Sequence, residues 1–303
     1  MEPGLENIKR NIYEVIQEEV HRLGIHCKIF ARVKDISSLR EKILRRKREN
    51  NNIDYYTTDG RHVQDIIGIR LVTYFYEDVD LLWNICKKKF VVVNESVLKM
   101  DTKNFEPLRK NMVCQMLASD SSILDEIKHA TTCPEYQLSD NTFEIQFRTT
   151  LSEGWHEVDH VLRYKSKEDW EDFLEEERMF NGIYAALETS DRTMKALFDD
   201  IAFKHYKNRN WSALLRTKFR LHFFDKSLSD QVITYLNEDK NLSKKIYKCD
   251  RNDIMAQLAS VPIKFKLTTD NFLFYLVYTL DRTNKILGLA PENIMLDFKN
   301  YIQ

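Results

Sequence analysis

The sequence predicts an α/β fold over roughly its first two thirds, followed by a helical extension. Three observations predict it. Apolar runs of strand length alternate with amphipathic stretches of helical period. Only 7 Gly and 5 Pro interrupt 303 residues, so tight turns are few and helices many. Beyond about residue 208 the pattern changes to short helical segments.

The elements follow in order. Leu5, Ile8, Ile12, Val15, Ile16, Val20 and Leu23 recur at helical spacing and predict a first helix over about 5–23. A short strand is expected at 27–33. Asp35 or Ser37 can cap a helix running to about Arg48, ended by the polar tract 49–52. An apolar run at 66–75 reads as a buried strand, 79–89 as a helix and 90–98 as a further strand. Residues 100–140 show no readable pattern beyond a long loop or short helix. Strict alternation places Phe143, Ile145 and Phe147 on one face of a strand, and Glu144, Gln146 and Arg148 on the other. A helix follows from about 150 to 165. The acidic tract 167–178 reads as a solvated helix face. Ala185, Leu187, Met194, Leu197 and Ile201 mark one more helix.

Composition bounds the function. Hydrophobic residues at 43% and charged residues at 31% are ordinary for a soluble globular protein. A formal charge of −1 excludes a strongly basic nucleic-acid binder, though not a local basic patch. Cys27, Cys86, Cys114, Cys133 and Cys249 are odd in number and lack Cys-x-x-Cys spacing, as expected of reduced thiols in a cytoplasmic protein. No apolar signal core and no run of 18 apolar residues occurs, so no membrane partner is expected.

The chemistry concentrates in a few places. Asp65 sits at the mouth of the 66–75 run, and Glu144 lies on the alternating strand. Two carboxylates on neighbouring strands beside cationic side chains suit a magnesium ion and a nucleotide polyphosphate. Arg32 and Lys34 alternate in the first strand. Ser38, Lys42 and Arg45 follow at spacings of four and three, spanning about 60° of helical arc. Ile36, Leu39 and Ile43 cluster on the opposite side. A solvated amphipathic helix would carry the same stripe, which gains its meaning beside the carboxylates. Asp65 alone could cap a strand, and Glu144 alone could pair with Arg148.

In order along the chain, four pieces resemble the synthetase domain of the RelA/SpoT family, the ATP-dependent pyrophosphokinases that make (p)ppGpp. They are Arg32-x-Lys34-x3-Ser38-x3-Lys42, Asp65-x2-Gly68-x-Arg70, Glu144-x-Gln146-x-Arg148-Thr149 and Trp155-x3-Asp159-His160-x3-Tyr164-Lys165. The resemblance covers about residues 10–200. It implies a mixed sheet flanked by helices, of nucleotidyltransferase type, with a synthetase domain over 1–205 and a helical C-terminal domain over 206–303. It also implies that Arg32, Lys34, Ser38, Lys42, Arg45 and Arg70 hold ATP. Asp65 and Glu144 would hold Mg2+ and serve catalysis, with Glu144 near the attacking hydroxyl. Gln146, Arg148 and His160 would support the site. The implied reaction moves the β,γ-pyrophosphate of ATP to a ribose 3′-hydroxyl and releases AMP. No companion hydrolase motif is present.

Two departures stand out. Asp159 occupies a position where Glu is more usual. The acceptor loop Gly-Tyr-x-Ser-x-His, whose Tyr stacks on guanine in small synthetases, has no counterpart: no Gly occurs between Val97 and Thr142. The segment reads Asn104-Phe105-Glu106-Pro107 through Met116, then His129 and Tyr136. The acceptor is therefore a guanosine nucleotide held differently, another nucleotide, or the 3′ end of tRNA as in toxic members of the family. A degenerate enzyme, kept as a nucleotide- or RNA-binding module, is a further alternative, opposed by the intact carboxylates.

His156-Glu157-Val158-Asp159-His160 also matches His-Glu-x-x-His, the zinc-protease pattern. It lies wholly within the synthetase-like run, with no other protease feature. Residues 204–220 interleave bases and aromatics, a pattern that suits RNA or simply a helix surface over a core. The C-terminal helices read as a small regulatory or oligomerising domain, so a homo-oligomer is compatible with the sequence.

Overall fold

The computed structural model describes residues 3–97 and 110–302. It divides the chain into two compact units. The first comprises residues 1–17, 27–73 and 82–187, and the second comprises 18–26, 74–81 and 188–303.

Among the described residues the first unit is built on five strands: β1 (Cys27–Val33), β2 (Ile67–Thr73), β3 (Val92–Val97), β4 (Lys110–Gln115) and β5 (Thr142–Thr149). Their spatial order is β1-β2-β5-β4-β3. Only the β2–β5 pair is parallel; the other three pairings are antiparallel, so the sheet is mixed. The alternation in β5 works as its sequence dictates. Phe143, Ile145 and Phe147 are buried on one face with Ile69, Leu71, Met112 and Cys114. On the other face Glu144 and Gln146 stay half-buried.

Helix α1 (Pro3–Leu23) buries Leu5, Ile8, Ile12, Ile16, Val20 and Leu23, the stripe that its spacing predicts. Helix α2 (Ile36–Glu49) is capped by Asp35, whose carboxylate accepts from the Ser38 N–H, while Ser37 donates its hydroxyl to the same carboxylate. Of its apolar side only Leu39 is fully buried; Ile36 and Ile43 are half-exposed. Helix α3 (Tyr76–Lys89) begins three residues earlier than the sequence indicates.

The segment 100–140 departs most from expectation. Over 110–140 it holds β4, which the sequence did not indicate, helix α4 (Ala118–Ala130), the short helix that the reading allowed, and a 3-10 turn (Pro134–Leu138). The alternating burial of Met112 and Cys114 was present in the sequence, but polar flanks masked it. Leu98 and the tract Asn104–Pro107 lie outside the described residues. The helix expected over 150–165 is also two pieces: α5 (Thr150–Val158), capped by Thr149 and Ser152, and a π-helical turn (Asp159–Tyr164). The acidic tract contains a 3-10 turn (Lys167–Trp170) and the start of α6 (Leu174–Lys207).

In the second unit α11 (Thr269–Leu280) is the central element. Phe272 through Tyr278 are all buried, as befits a helix apolar on every side. Around it stand α7 (Trp211–Phe219), α8 (Asp230–Glu238), α9 (Lys240–Lys248), α10 (Arg251–Ser260) and α12 (Glu292–Tyr301). Phe219, Phe272, Tyr275 and Phe298 form a connected aromatic core. Two buried ion pairs lie in this unit: Arg251 to Asp78 at 2.6 Å and Arg220 to Glu77 at 2.5 Å. Among the described residues no helix is long and apolar enough to cross a membrane.

Candidate functional site

Strand register sets the site. Arg32 on β1 stands opposite Gly68 on β2, which stands beside Glu144 on β5. The next row is Phe30, Arg70 and Gln146, with Asn111 of β4 opposite Gln146. All point to the face that the apolar core leaves open. A Cβ at Gly68 would lie 3.7 Å from the Arg32 side chain, an ordinary contact, so the open face does not depend on glycine here.

A cleft of about 240 Å³ opens between this face and α2. Its walls include Arg32, Lys34, Ser38, Lys42, Arg45, Asp65, Gln146 and His160. Eight residues singled out from the sequence therefore meet in one place. Arg70 lies in the adjoining recess of about 480 Å³, which shares Arg32 and Gln146 with the cleft. Arg148 is not at the surface of either. It is buried, with its guanidinium donating to the Phe147 carbonyl and, at 3.4 Å, to Asn111 Oδ1.

Asp65 is the electrostatic centre of the cleft. It pairs with Lys34, and its Oδ1 stands 2.7 Å from Lys42 Nζ. Burial alone would raise the Asp65 carboxyl, but Lys42 and then Lys34 outweigh it and hold the group below its usual range. The two lysines respond in opposite directions. Burial dominates at Lys34 and lowers it, whereas at Lys42 the attraction of Asp65, with help from Tyr56 and Glu144, overcomes burial and raises it.

Glu144 is held by amides rather than by Arg148. Gln146 Nε2 donates to it at 2.8 Å and Asn111 Nδ2 at 3.1 Å. The Gln146 carbonyl in turn accepts from Arg70 Nε at 3.2 Å. Arg70 pairs with Glu153 at 2.5 Å and also with Glu157. Burial lowers Arg70, and these two glutamates more than reverse the effect. Arg148 is pushed down to about 10 by burial, and so remains cationic at neutral pH. His160 is lowered by burial, then by Lys165 and Arg32, and is neutral there.

Asp65 and Glu144 are the carboxylates that could hold a divalent cation. They offer the hard oxygen donors that magnesium takes alongside phosphate oxygens. Both carboxylates act on Lys42, and Lys34 and Lys42 already hold the two Asp65 oxygens, so a cation bound there would take the place of an ammonium. Among the described residues no group of three or more His, Cys, Asp and Glu is arranged around one metal position. The His-Glu-x-x-His match dissolves accordingly. His156 is buried against the Trp155 and Tyr184 rings, while His160 lines the cleft and stacks on Tyr164. The π-turn beginning at Asp159 breaks the register that two ligands one α-turn apart require.

Residues 31–169 match a family model described as a region found in RelA/SpoT proteins. This stretch is similar to the region found in RelA/SpoT proteins. The match spans the residues that line the cleft, strands β2 to β5 and the π-turn. Solved structures similar to the chain include a GTP pyrophosphokinase family protein from Streptococcus pneumoniae, 24% identical, covering 66% of this chain and 91% of that one at a TM-score of 0.46. The small alarmone synthetase 2 of Bacillus subtilis is 19% identical, covering 64% and 91% at 0.44. The small alarmone synthetase 1 of the same organism, bound to its product pppGpp, is 20% identical, covering 65% and 92% at 0.45. No curated protein matches the sequence.

Several residues of this stretch matter beyond those singled out from its motifs. Tyr164 lies under the Arg45 guanidinium, 4.8 Å from carbon to ring centre, and lines the cleft with Lys165 and Arg46. The motif contained Tyr164 and Lys165 but gave no reason to prefer them. Asn111 and Glu153 carried no signal at all, because each acts through a partner distant in sequence.

Proposed function

We propose that this chain is an ATP-dependent pyrophosphokinase that transfers the β,γ-pyrophosphate of ATP to the 3′-hydroxyl of a guanosine nucleotide. The observation that carries the reading is the cleft itself, which Arg32, Lys34, Ser38, Lys42 and Arg45 line together with Asp65. The RelA/SpoT match over the same residues supports it.

Lys34, Lys42 and Arg45 neutralise the triphosphate, with Ser38 as a hydroxyl donor to it. Arg32 and Arg70, which line one recess, provide planar cations suited to stacking on a base. The acceptor 3′-oxygen attacks the β-phosphorus, and the bond from that phosphorus to the α,β-bridging oxygen breaks. AMP leaves with the bridging oxygen. Glu144, oriented by Asn111 and Gln146, takes the hydroxyl proton. Asp65 and Glu144 would hold magnesium, which supplies charge neutralisation at the polyphosphate when bound. Little covalent chemistry falls to the protein; positioning and charge provide most of the rate.

The test offers the purified chain magnesium and β-labelled ATP with GDP, GTP, ATP or bulk tRNA in separate reactions. Label on GDP or GTP together with released AMP is expected. Label on tRNA alone would replace the acceptor, and AMP release with no labelled acceptor would overturn the transfer.

A further inference from the structure

The second unit carries a surface that the reading of the cleft does not use. Residues 203–249 contain eleven Lys and Arg against four Asp and Glu, while the whole chain has a net charge of −1. The positive charge is concentrated on particular helices. In α9, Lys240, Lys244 and Lys248 repeat every four residues, so they line one face about 6 Å apart. All three are exposed, and none has an ion-pair partner among the described residues. Unrelieved like charges at this spacing weaken a helix. The arrangement therefore gains from an anionic partner.

Beside Lys248 the surface becomes aromatic. Tyr247 of α9 stacks on Tyr206 of α6, with ring centres 4.5 Å apart and planes 14° from parallel. Phe203 lies 5.8 Å from Tyr247 and is 41% exposed. Lys207 Nζ is 5.8 Å from the Phe203 ring, and Lys218 donates to the Tyr247 carbonyl at 2.8 Å. An exposed Phe203 beside a half-buried tyrosine pair, bordered by cations, is what a chain of stacked bases and phosphates complements. An anionic bilayer would use the lysines but not a parallel pair of rings.

We infer that the Lys240–Lys244–Lys248 face of α9 and the adjoining Phe203–Tyr206–Tyr247 rings bind single-stranded nucleic acid. The lysines track the backbone while Phe203 and the tyrosine pair accept bases. This surface lies wholly within the second unit, so it stands or falls separately from the proposed transfer reaction.

The full-length chain is titrated into fluorescein-labelled oligouridylate and oligothymidylate of twelve nucleotides, at several salt concentrations, with anisotropy as the readout. Binding that weakens steadily with salt is expected. The double substitution Lys244→Glu, Lys248→Glu should weaken it at least about 10-fold and flatten the salt dependence. Phe203→Ala should weaken it about 5-fold or more with the salt slope kept, because stacking releases no counterions. Circular dichroism establishes that each variant is folded. Binding of either sugar supports the assignment. It is overturned if neither oligomer binds, if both variants bind as the parent does, if a duplex of equal length binds as tightly, or if only phosphatidylglycerol vesicles are bound.

Discussion

Lys42 Nζ and Asp65 Oδ1 stand 2.7 Å apart, one brought by α2 and the other by the approach to β2. The pair closes the floor of the cleft, with Lys34 on the other carboxylate oxygen. Each partner restrains the other: the ammonium keeps the carboxylate ionised, and the carboxylate keeps an ammonium charged in a half-buried place.

Replacing Lys42 by Met removes the stronger of the two cations that depress Asp65. The sign follows from linkage. A carboxylate held below its ordinary range contributes stability above that range and loses it as pH falls through the depressed value. Acid titration of the parent should therefore retain this contribution to lower pH than titration of Lys42→Met. ATP affinity, read by calorimetry, should fall about 10-fold or more with the lost phosphate contact. Equal affinity would remove Lys42 from the nucleotide site.

Glu144→Gln should abolish transfer, by a factor of about 100 or more, as expected when a positioned base is lost. The fold should survive, because a glutamine can satisfy Asn111 and Gln146 once the Asn111 amide turns over, giving up only its long 3.4 Å bond from Arg148. Melting should change by the equivalent of about 1 kcal/mol or less. Asp65→Asn should likewise abolish transfer, but with a larger stability loss, since Lys34 and Lys42 then face no counter-charge. Retained transfer in either variant would remove that carboxylate from catalysis.

His160 should titrate below the ordinary histidine range in the free protein, where burial, Lys165 and Arg32 oppose its protonation. Its depressed value means that neutral imidazole is favoured in the fold. The associated stability is present at neutral pH and declines as pH drops through and below the usual histidine range. A polyphosphate entering the cleft adds negative charge and should raise the value. NMR titration with and without a non-hydrolysable ATP analogue reads both; an unchanged value would place the nucleotide elsewhere.

In the second unit Arg251→Ala should destabilise the chain strongly, by about 3–5 kcal/mol, because Asp78 is fully buried and Arg251 is its partner. Chemical denaturation checks it. A loss under about 1 kcal/mol would mean that water replaces the guanidinium.

The sheet and much of the cleft were legible in the sequence because two periodicities are unambiguous there. Period two in β5 separates Glu144 and Gln146 from Phe143, Ile145 and Phe147. Near-helical spacing in α2 places Ser38, Lys42 and Arg45 on one wall. β4 was not legible. Its inward residues, Met112 and Cys114, are modest hydrophobes between polar neighbours, and only pairing with β5 reveals their burial. The π-turn at Asp159 was equally hidden, since helical spacing does not announce one added residue per turn. Asn111 and Glu153 show the general reason. Their use depends on strands and helices far away in the chain, and local pattern carries no trace of it.

The one parallel pairing in the sheet has a consequence for biosynthesis. β2 and β5 lie side by side, yet the ribosome makes the first long before the second, and α3, β3, β4 and α4 intervene. Closing such a long loop is slow and must precede any gain from the contacts it creates. Asp65 and Glu144 therefore come together late, after the nucleotide-facing residues of β1 and α2 have been synthesised. A nascent chain lacking β5 has cations but no complete acid pair. Competence for transfer should thus appear abruptly, with the emergence of β5, rather than accumulate as the chain lengthens.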